Sequence, residues 1–346
     1  MCTLPWVSLQ MAKRLVLFLI LLSLLPITAI QSANAVEPKR IAIAYEVGGR
    51  GDNGINDLAA KGLERAIKKH NISRLDVREQ ITDGTLGDRI TRVRFLARNK
   101  YQLIICVGAA YADTVRRISN EFPNTQFAII DDESVAMTNV SNLSFATHEG
   151  IYLAGAALAA RSKSGKIGFI GEKTDPTAAK YLSVFAKGAM AGNSKVKVSS
   201  KLLDTDVEGE IKAQVNSGVD QIYSIWSKSD EVISNIATLN RPATPILISG
   251  LLPEQYFLNF SAGKKNQYLV VQKRFDLAVE QIIAAEVADK NILEILDGKK
   301  GIYGHRYNLK NGGVTVKVVS GQPLPARVQS ISTNLKAGRI KNILGS

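Results

Sequence analysis

The sequence predicts an α/β fold of two similar lobes, each a parallel sheet flanked by helices. Short β-rich apolar runs alternate with longer segments of helical period from Arg40 onward, an alternation that calls for parallel strands with helices packed on their faces. An opening strand and helix near 41–70 is echoed near 166–192, a rhythm that fits two lobes better than one large sheet. The chain's 346 residues suffice for about two domains with cores of their own.

The first 35 residues read as an export signal. Lys13 and Arg14 form a positive start, and the run from Leu15 to Ile30 is apolar apart from Ser23, Thr28 and Pro26. Ala33-Asn34-Ala35 supplies the small-x-small cleavage pattern. A mature chain beginning near Val36 is expected, with Met11 a possible true start; the alternative, an uncleaved anchor, is opposed by Pro26 and the cleavage pattern. Cys2 lies ahead of the apolar run rather than after it, so a lipid-modified cysteine is not expected. Past the leader the one cysteine is Cys106, inside the apolar run Leu103–Val107. That placement reads as a buried strand residue rather than a nucleophile and excludes an intrachain disulfide.

The strands follow in order: Ile41–Tyr45, Leu75–Ile81, Leu103–Val107, Phe127–Asp131, Leu143–Ala146, Ile167–Ile170, Val196–Leu202, Gln221–Ile225, Ile246–Ser249 and Tyr268–Val271. Each is a short β-rich apolar run. A helix from about Gly54 to His70 puts Ile55, Leu58, Ala59, Leu63, Ala66 and Ile67 on one stripe, with Lys61, Glu64, Arg65 and Lys69 opposite. A second helix, Ile151–Arg161, carries little charge until its end and is expected to be deeply buried. Past Gly250 the pattern is less regular, with a glycine turn at Gly312-Gly313 and a closing helix from about Pro325 to Ile343. The expected division is 36–145 plus about 252–275 for the first lobe and 146–251 plus about 276–320 for the second, with a helix in 321–346.

The formal charge of +13 is spread along the chain, and no zinc pattern, ribonucleoprotein motif or basic-aromatic interleaving points to nucleic acid. A hydrophobic fraction of 45% beside 22% charged residues argues against global disorder. His70, His148 and His305 stand apart without metal-ligand spacing, and no G-x-S-x-G elbow occurs. Gly49-Arg50-Gly51-Asp52-Asn53-Gly54 matches G-x-G-x-x-G between a strand and a helix, with Asp76 about twenty residues on. This admits a dinucleotide-dependent enzyme, but an exported chain without a dehydrogenase signature favours a ligand-facing loop. Asp131 ends a strand where open α/β sheets present ligand-binding groups; the alternative is a turn or capping aspartate.

Four segments recur in a specific order: Val47-Gly48-Gly49 followed by Asn56 and Gly62-Leu63; Phe127-Ala128-Ile129-Ile130-Asp131; Glu149-Gly150-Ile151-Tyr152-Leu153-Ala154-Gly155; and Gly165-Lys166-Ile167-Gly168-Phe169-Ile170-Gly171. Together they resemble the basic membrane protein family, the purine-nucleoside-receptor type of ABC-transporter substrate-binding protein, over nearly all of the mature chain. The resemblance implies a type I periplasmic-binding fold that closes on a nucleoside-like or heteroaromatic ligand and delivers it to an ABC permease. It implies no catalysis, no cofactor and no metal, and a free periplasmic monomer is expected. Asn56, Asp131 and Lys273 match the family's polar contacts, and Glu46 stands where an aspartate is usual. Three departures follow. Ile55 replaces an aromatic, Ala109-Ala110 occupy a place that often holds one, and an acid is replaced within Gly250-Leu251-Leu252-Pro253-Glu254-Gln255. Trp226, after the strand Gln221–Ile225, could supply a replacement ring, or be a core or hinge tryptophan. These changes leave open a sensing or interaction protein on the same fold.

Overall fold

The computed structural model describes residues 39–239, 245–250, 265–319 and 323–344. The leader and most of the Gly250–Gln255 segment lie outside the described residues. The chain opens with β1 (Ile41–Tyr45), α1 (Ile55–His70), a 3-10 turn (Arg74–Asp76), β2 (Val77–Ile81), α2 (Leu86–Arg98), β3 (Leu103–Val107), a second 3-10 turn (Ala109–Tyr111), α3 (Ala112–Glu121), β4 (Gln126–Ile130) and β5 (Val140–Phe145). Next come α4 (Thr147–Arg161), β6 (Lys166–Glu172), α5 (Ala178–Gly192), β7 (Lys197–Leu203), α6 (Val207–Asn216), β8 (Gln221–Ser224), α7 (Ser229–Leu239), β9 (Leu247–Gly250) and β10 (Gln267–Lys273). The last part holds α8 (Phe275–Val287), β11 (Glu294–Asp297), β12 (Ile302–Tyr307), β13 (Val314–Val318) and α9 (Ala326–Lys336).

Two sheets result, in the orders β11-β12-β5-β4-β3-β1-β2 and β13-β10-β9-β8-β6-β7. Pairing is parallel except at one edge of each sheet, where β11 meets β12 and β13 meets β10 antiparallel. The strands β1 and β3 are buried along their whole length, because helices cover both faces and continuous apolar runs such as Ile41–Tyr45 can be hidden on either side. β5 starts three residues earlier than its apolar run suggests. Its polar Asn142 is fully buried but satisfied, donating to the carbonyls of Val135 at 2.9 Å and Tyr303 at 2.8 Å.

The expected lobe division needs correction. β10, placed in advance with the first lobe, pairs with β9 and β13 in the second sheet. α8, β11 and β12, placed with the second lobe, complete the first: α8 packs on α1 in one core, and β12 pairs with β5. The cause is non-local pairing. The buried run Tyr268–Val271 finds its hydrogen-bonding neighbours in β9 and β13, and Gly62 of α1 lets the Asp276 backbone of α8 approach to where a Cβ would lie 2.3 Å from the carbonyl oxygen. α9 joins the second core through Val328, Ile331 and Leu335. It ends at Lys336, short of Ile343, and Gly338 follows at φ +67°.

Among the described residues the chain passes between the sheets at three places: Ala146 after β5, Arg274 after β10, and 308–313 after β12. These passages are tied to one another. Ala146 N–H donates to the Tyr307 carbonyl at 2.7 Å, and Arg274 N–H to the Gly313 carbonyl at 2.8 Å. Phe145 lies 5.1 Å from the Phe275 ring and 5.0 Å from Tyr307, centroid to centroid, within the range of favourable aromatic contact.

Between its first turn and Arg161, α4 is apolar on every side, and Gly150–Ala159 are buried, as such a composition requires. It runs against α5 at backbone contact distance. A Cβ on Gly188 would lie 2.0 Å from the Tyr152 carbonyl oxygen, and one on Gly192 2.2 Å from that of Ala156. Backbone cannot yield as a flexible side chain does, so Gly188→Val is expected to destabilise the protein by about 1–3 kcal/mol, the cost of overpacking. Urea unfolding should show it as a lower midpoint at unchanged slope.

Candidate ligand-binding site

The carboxyl ends of the strands carry the charged groups. Asp131 follows β4 in a left-handed conformation, φ +68°, uncommon outside glycine and tolerated best by Asp and Asn. Its N–H donates to the Leu143 carbonyl at 2.8 Å. Its Oδ2 accepts a hydrogen bond from Lys273 Nζ, joining the end of a first-sheet strand to the last residue of β10 in the second. The side chains are 28% and 22% exposed. Burial works against the charge on Lys273, but the carboxylate of Asp131, aided by Tyr181 and Asp175, outweighs it and holds the ammonium pKa above its ordinary value. Tyr181, on the first turn of α5, is half-buried, and burial holds its hydroxyl pKa above the ordinary value; Lys273 Nζ stands 5.7 Å over the Phe275 ring.

Glu46, directly after β1, is gripped at both oxygens by Arg89 of α2: Nε to Oε1 at 3.1 Å and Nη2 to Oε2 at 2.7 Å. The guanidinium lies 5.4 Å from the centre of the Tyr111 ring, and the Tyr111 hydroxyl donates to the Tyr45 carbonyl at 2.8 Å. Gly108, at φ +104°, leaves room for the acid, since a Cβ there would sit 3.3 Å from Glu46 Cγ. Asn56 is buried and turned inward: its Oδ1 accepts from Glu46 N–H at 3.1 Å, and its Nδ2 lies 3.4 Å from the carbonyls of Glu46 and Val47. It therefore shapes the loop that carries Glu46.

The glycine loop is closed by its own carboxylates. Gly51 and Asn53 N–H groups donate to Asp57, and those of Gly54, Asn56 and Asp57 to Asp52. Donors that would cradle a pyrophosphate are thus spent within the chain, and Arg50 pins the loop to Glu79 and Glu64. Asp76 lies in the turn before β2, at the amino edge, opposite to where a ribose-binding acid of a dinucleotide site stands.

The structure brings Asp131 and Lys273 together, sets Glu46, directly after β1, beside Asn56 in the first turn of α1, and leaves Trp226 apart in a core. Trp226 is 8% exposed and packs with Ile170, Val207 and Val232 in a core of the second lobe. Its indole N–H donates to Glu231 at 3.3 Å, so this ring holds the core position that was the alternative to a ligand contact. Ala109 and Ala110 are exposed beside Glu46, and Ile55 is half-buried. Sequence reasoning missed Arg89 and Tyr181. Arg89 is one of several arginines in α2, and nothing in its spacing marks it.

No group of three or more His, Cys, Asp or Glu among the described residues could hold a metal ion, and no described helix is long and apolar enough to cross a membrane. Cys106 is fully buried.

The family model described as "ABC transporter substrate-binding protein PnrA-like" matches residues 39–330. The chain belongs to this family. Within it, the chain is similar to the ABC transporter nucleoside-binding protein BmpA of Lactococcus lactis, 27% identical over 80% of each chain. Basic membrane protein A2 of Borrelia garinii is 27% identical over 54% of this chain and 53% of its own. Among solved structures, an ABC-transporter solute-binding protein of Conexibacter woesei superposes with a TM-score of 0.69 at 16% identity, covering 87% of this chain and 97% of that one, a likeness of fold. The two-lobed periplasmic-binding architecture expected from the sequence is thereby established.

Two outcomes follow for this PnrA-like chain. Lys273→Met should leave the Asp131 carboxylate half-buried without its counter-charge, and thermal unfolding should show a loss of several degrees, the effect of roughly 1–3 kcal/mol for an unpaired buried polar group. His148, in the first turn of α4, is pushed down to about 4 by burial and by the positive charges of Lys180 and Arg306, against a smaller opposing effect of Glu133. Because its folded pKa lies below the unfolded value near 6.5, the unfolded chain takes up the extra proton. The stability this residue contributes is therefore complete above about pH 6.5 and falls as pH drops toward 4. His148→Gln should flatten that part of the urea-midpoint profile between pH 6.5 and 4.5.

Proposed function

We propose that this chain is the exported receptor of an ABC-type uptake system and holds a nucleoside-like or heteroaromatic solute between its two lobes. The observation that carries the reading is the Asp131–Lys273 pair, because it puts an acceptor from one sheet and a donor from the other at a common point on their carboxyl ends, where open α/β sheets bind ligands. The three tied passages allow hinge closure around that point, and a ligand that touches both lobes favours the closed state by its extra contacts. The nucleoside-binding name of the Lactococcus lactis relative supports the ligand class, and the leader with its Ala33-Asn34-Ala35 pattern supports release as a free periplasmic protein. The partner is the membrane permease of the transporter.

Calorimetry and thermal shift with a panel of nucleosides, bases and flavins test this. A true ligand at one hundred times its Kd should stabilise the protein by about 2.7 kcal/mol, visible as a rise in Tm. No heat and no shift across the panel would remove the ligand class.

A further inference from the structure

The positive charge of this chain is spread along the sequence but not evenly over the surface. At the amino end of the first sheet, Lys39 meets Glu286 at 3.2 Å and Asp289 at 2.6 Å, and Arg94 of α2 meets Glu121 at 2.6 Å. The amino end of the second sheet is built otherwise. Lys166 opens β6 and lies opposite Lys197, which opens β7, in parallel register. Lys163 and Lys195 stand in the loops that lead into these two strands. Arg327, in the first turn of α9, reaches the same corner and donates its Nε–H to the Ala191 carbonyl at 2.8 Å. All five cations are exposed, and none forms an ion pair with a carboxylate among the described residues.

Among the described residues one acid, Asp220, stands beside them. It accepts from the Ser162 hydroxyl and from the N–H groups of Lys163 and Ser164, so it shapes the loop that carries Lys163 and offsets one charge of the five. The lobe's acids gather instead at the carboxyl end: Glu172 closes β6, Asp204 and Asp206 follow β7, and Glu231 lies in the first turn of α7. Cations clustered without counter-charges repel one another until an anionic partner supplies them.

The chemistry of the cluster points to phosphate headgroups. Four of the five are lysines, compact charges on flexible stems that need no forked geometry, and a plane of phosphodiesters can meet all of them at once. A hollow of about 350 Å³ between the end of α5 and the start of α9 is lined by Asn193, Ser194, Lys195 and Arg327, with room for a headgroup phosphate. Met190, next to Ala191, is 61% exposed and adds an apolar contact. Among the described residues the exposed large apolar side chains of this lobe are Met190 and Leu344, neither of them a ring on which a nucleic-acid base could stack.

We propose that this face is a docking surface for anionic phospholipid headgroups, which holds the exported receptor reversibly against the membrane. It goes beyond the uptake reading and takes from it only the exported location. The face lies at the opposite end of the second sheet from Lys273, so attachment leaves the candidate ligand site uncovered.

Co-sedimentation tests it, with the chain begun at Val36, which holds every described element, and vesicles of phosphatidylcholine alone or with about one-third phosphatidylglycerol. At low salt the wild type should bind the anionic vesicles at least about tenfold more tightly than the neutral ones, and raised salt should abolish the difference. A variant combining Lys163→Gln, Lys166→Gln, Lys195→Gln and Lys197→Gln should lose about tenfold or more in that binding. One combining Lys68→Gln, Lys100→Gln, Lys290→Gln and Lys299→Gln removes the same charge from exposed lysines of the first lobe and should lose less than about threefold. Equal losses in the two variants would assign the effect to net charge and overturn the proposal, as would equal binding to both vesicles or binding that salt does not weaken. Capture of duplex DNA without vesicle binding would overturn it in favour of nucleic acid. Should the first variant fail to fold, Lys195→Gln combined with Arg327→Gln decides in its place, with a loss of about threefold or more expected. Ligand titration is a separate readout: vesicle binding without any nucleoside or base bound costs the ligand class alone, and the reverse result costs the docking surface alone.

Discussion

Two sheets with separate cores can act on one ligand only if the strands that run between them are short and fixed, and here the passages at Ala146, Arg274 and 308–313 are stitched together by backbone hydrogen bonds and by the rings of Phe145, Phe275 and Tyr307. Each ring sits at the first or last position of an element that meets a passage. Stacking them gives the three passages a common pivot, because a shift of one would break ring contacts to the others. Lys273 is the residue before Arg274, so the donor of the site is anchored within one residue of the pivot. Relative movement of the lobes and the geometry of the Asp131–Lys273 pair are therefore coupled through covalent structure.

The loops around the site are made rigid by the same chemistry that closes them to other ligands. Asp52 and Asp57 absorb the N–H groups of the glycine loop, Asn56 fastens the carbonyls beneath Glu46, and Arg50 ties the loop to the outer strand β2 through Glu79. A buried or half-buried polar group costs free energy unless it is paired, and here the pairing is intramolecular. Among the described residues, spare donors on Lys273 and Arg89, remaining carboxylate lone pairs, the Tyr181 ring and the exposed Ala109–Ala110 turn stay available to a solute.

Much of the fold was legible because hydrophobic period is a local signal. The runs that became β1, β3, β6 and β8 are apolar enough to stand out against any neighbour, and the stripe of α1 fixes its inward face. β11 to β13 were not legible: Glu294–Asp297 is exposed or half-buried edge strand, and Ile302–Tyr307 mixes Gly304, His305 and Arg306 into a strand that needs β5 beside it to form. Lobe membership was misassigned for the same reason. A strand such as Tyr268–Val271 reads alike in either sheet, and only its partners decide where it belongs. Of the residues nominated for the site, Asp131 and Lys273 were found by family pattern and lie against each other across 142 positions of sequence. Trp226 carried the right chemistry for stacking, but the ring turned into the core.

By itself the sequence determined the class of fold, the boundaries of most strands and helices, the family, and which acids and lysine stand at strand ends, because each of these follows from local period or from ordered motifs. The tertiary structure alone decided that Glu46 is held by an arginine forty-three positions away, that Asp52 and Asp57 take the N–H groups of Gly51, Asn53 and Gly54 in the glycine loop, and that the late strands return to both sheets. Those are contacts between residues distant along the chain, where ion pairing, ring packing and strand pairing choose among partners that look equivalent in one dimension.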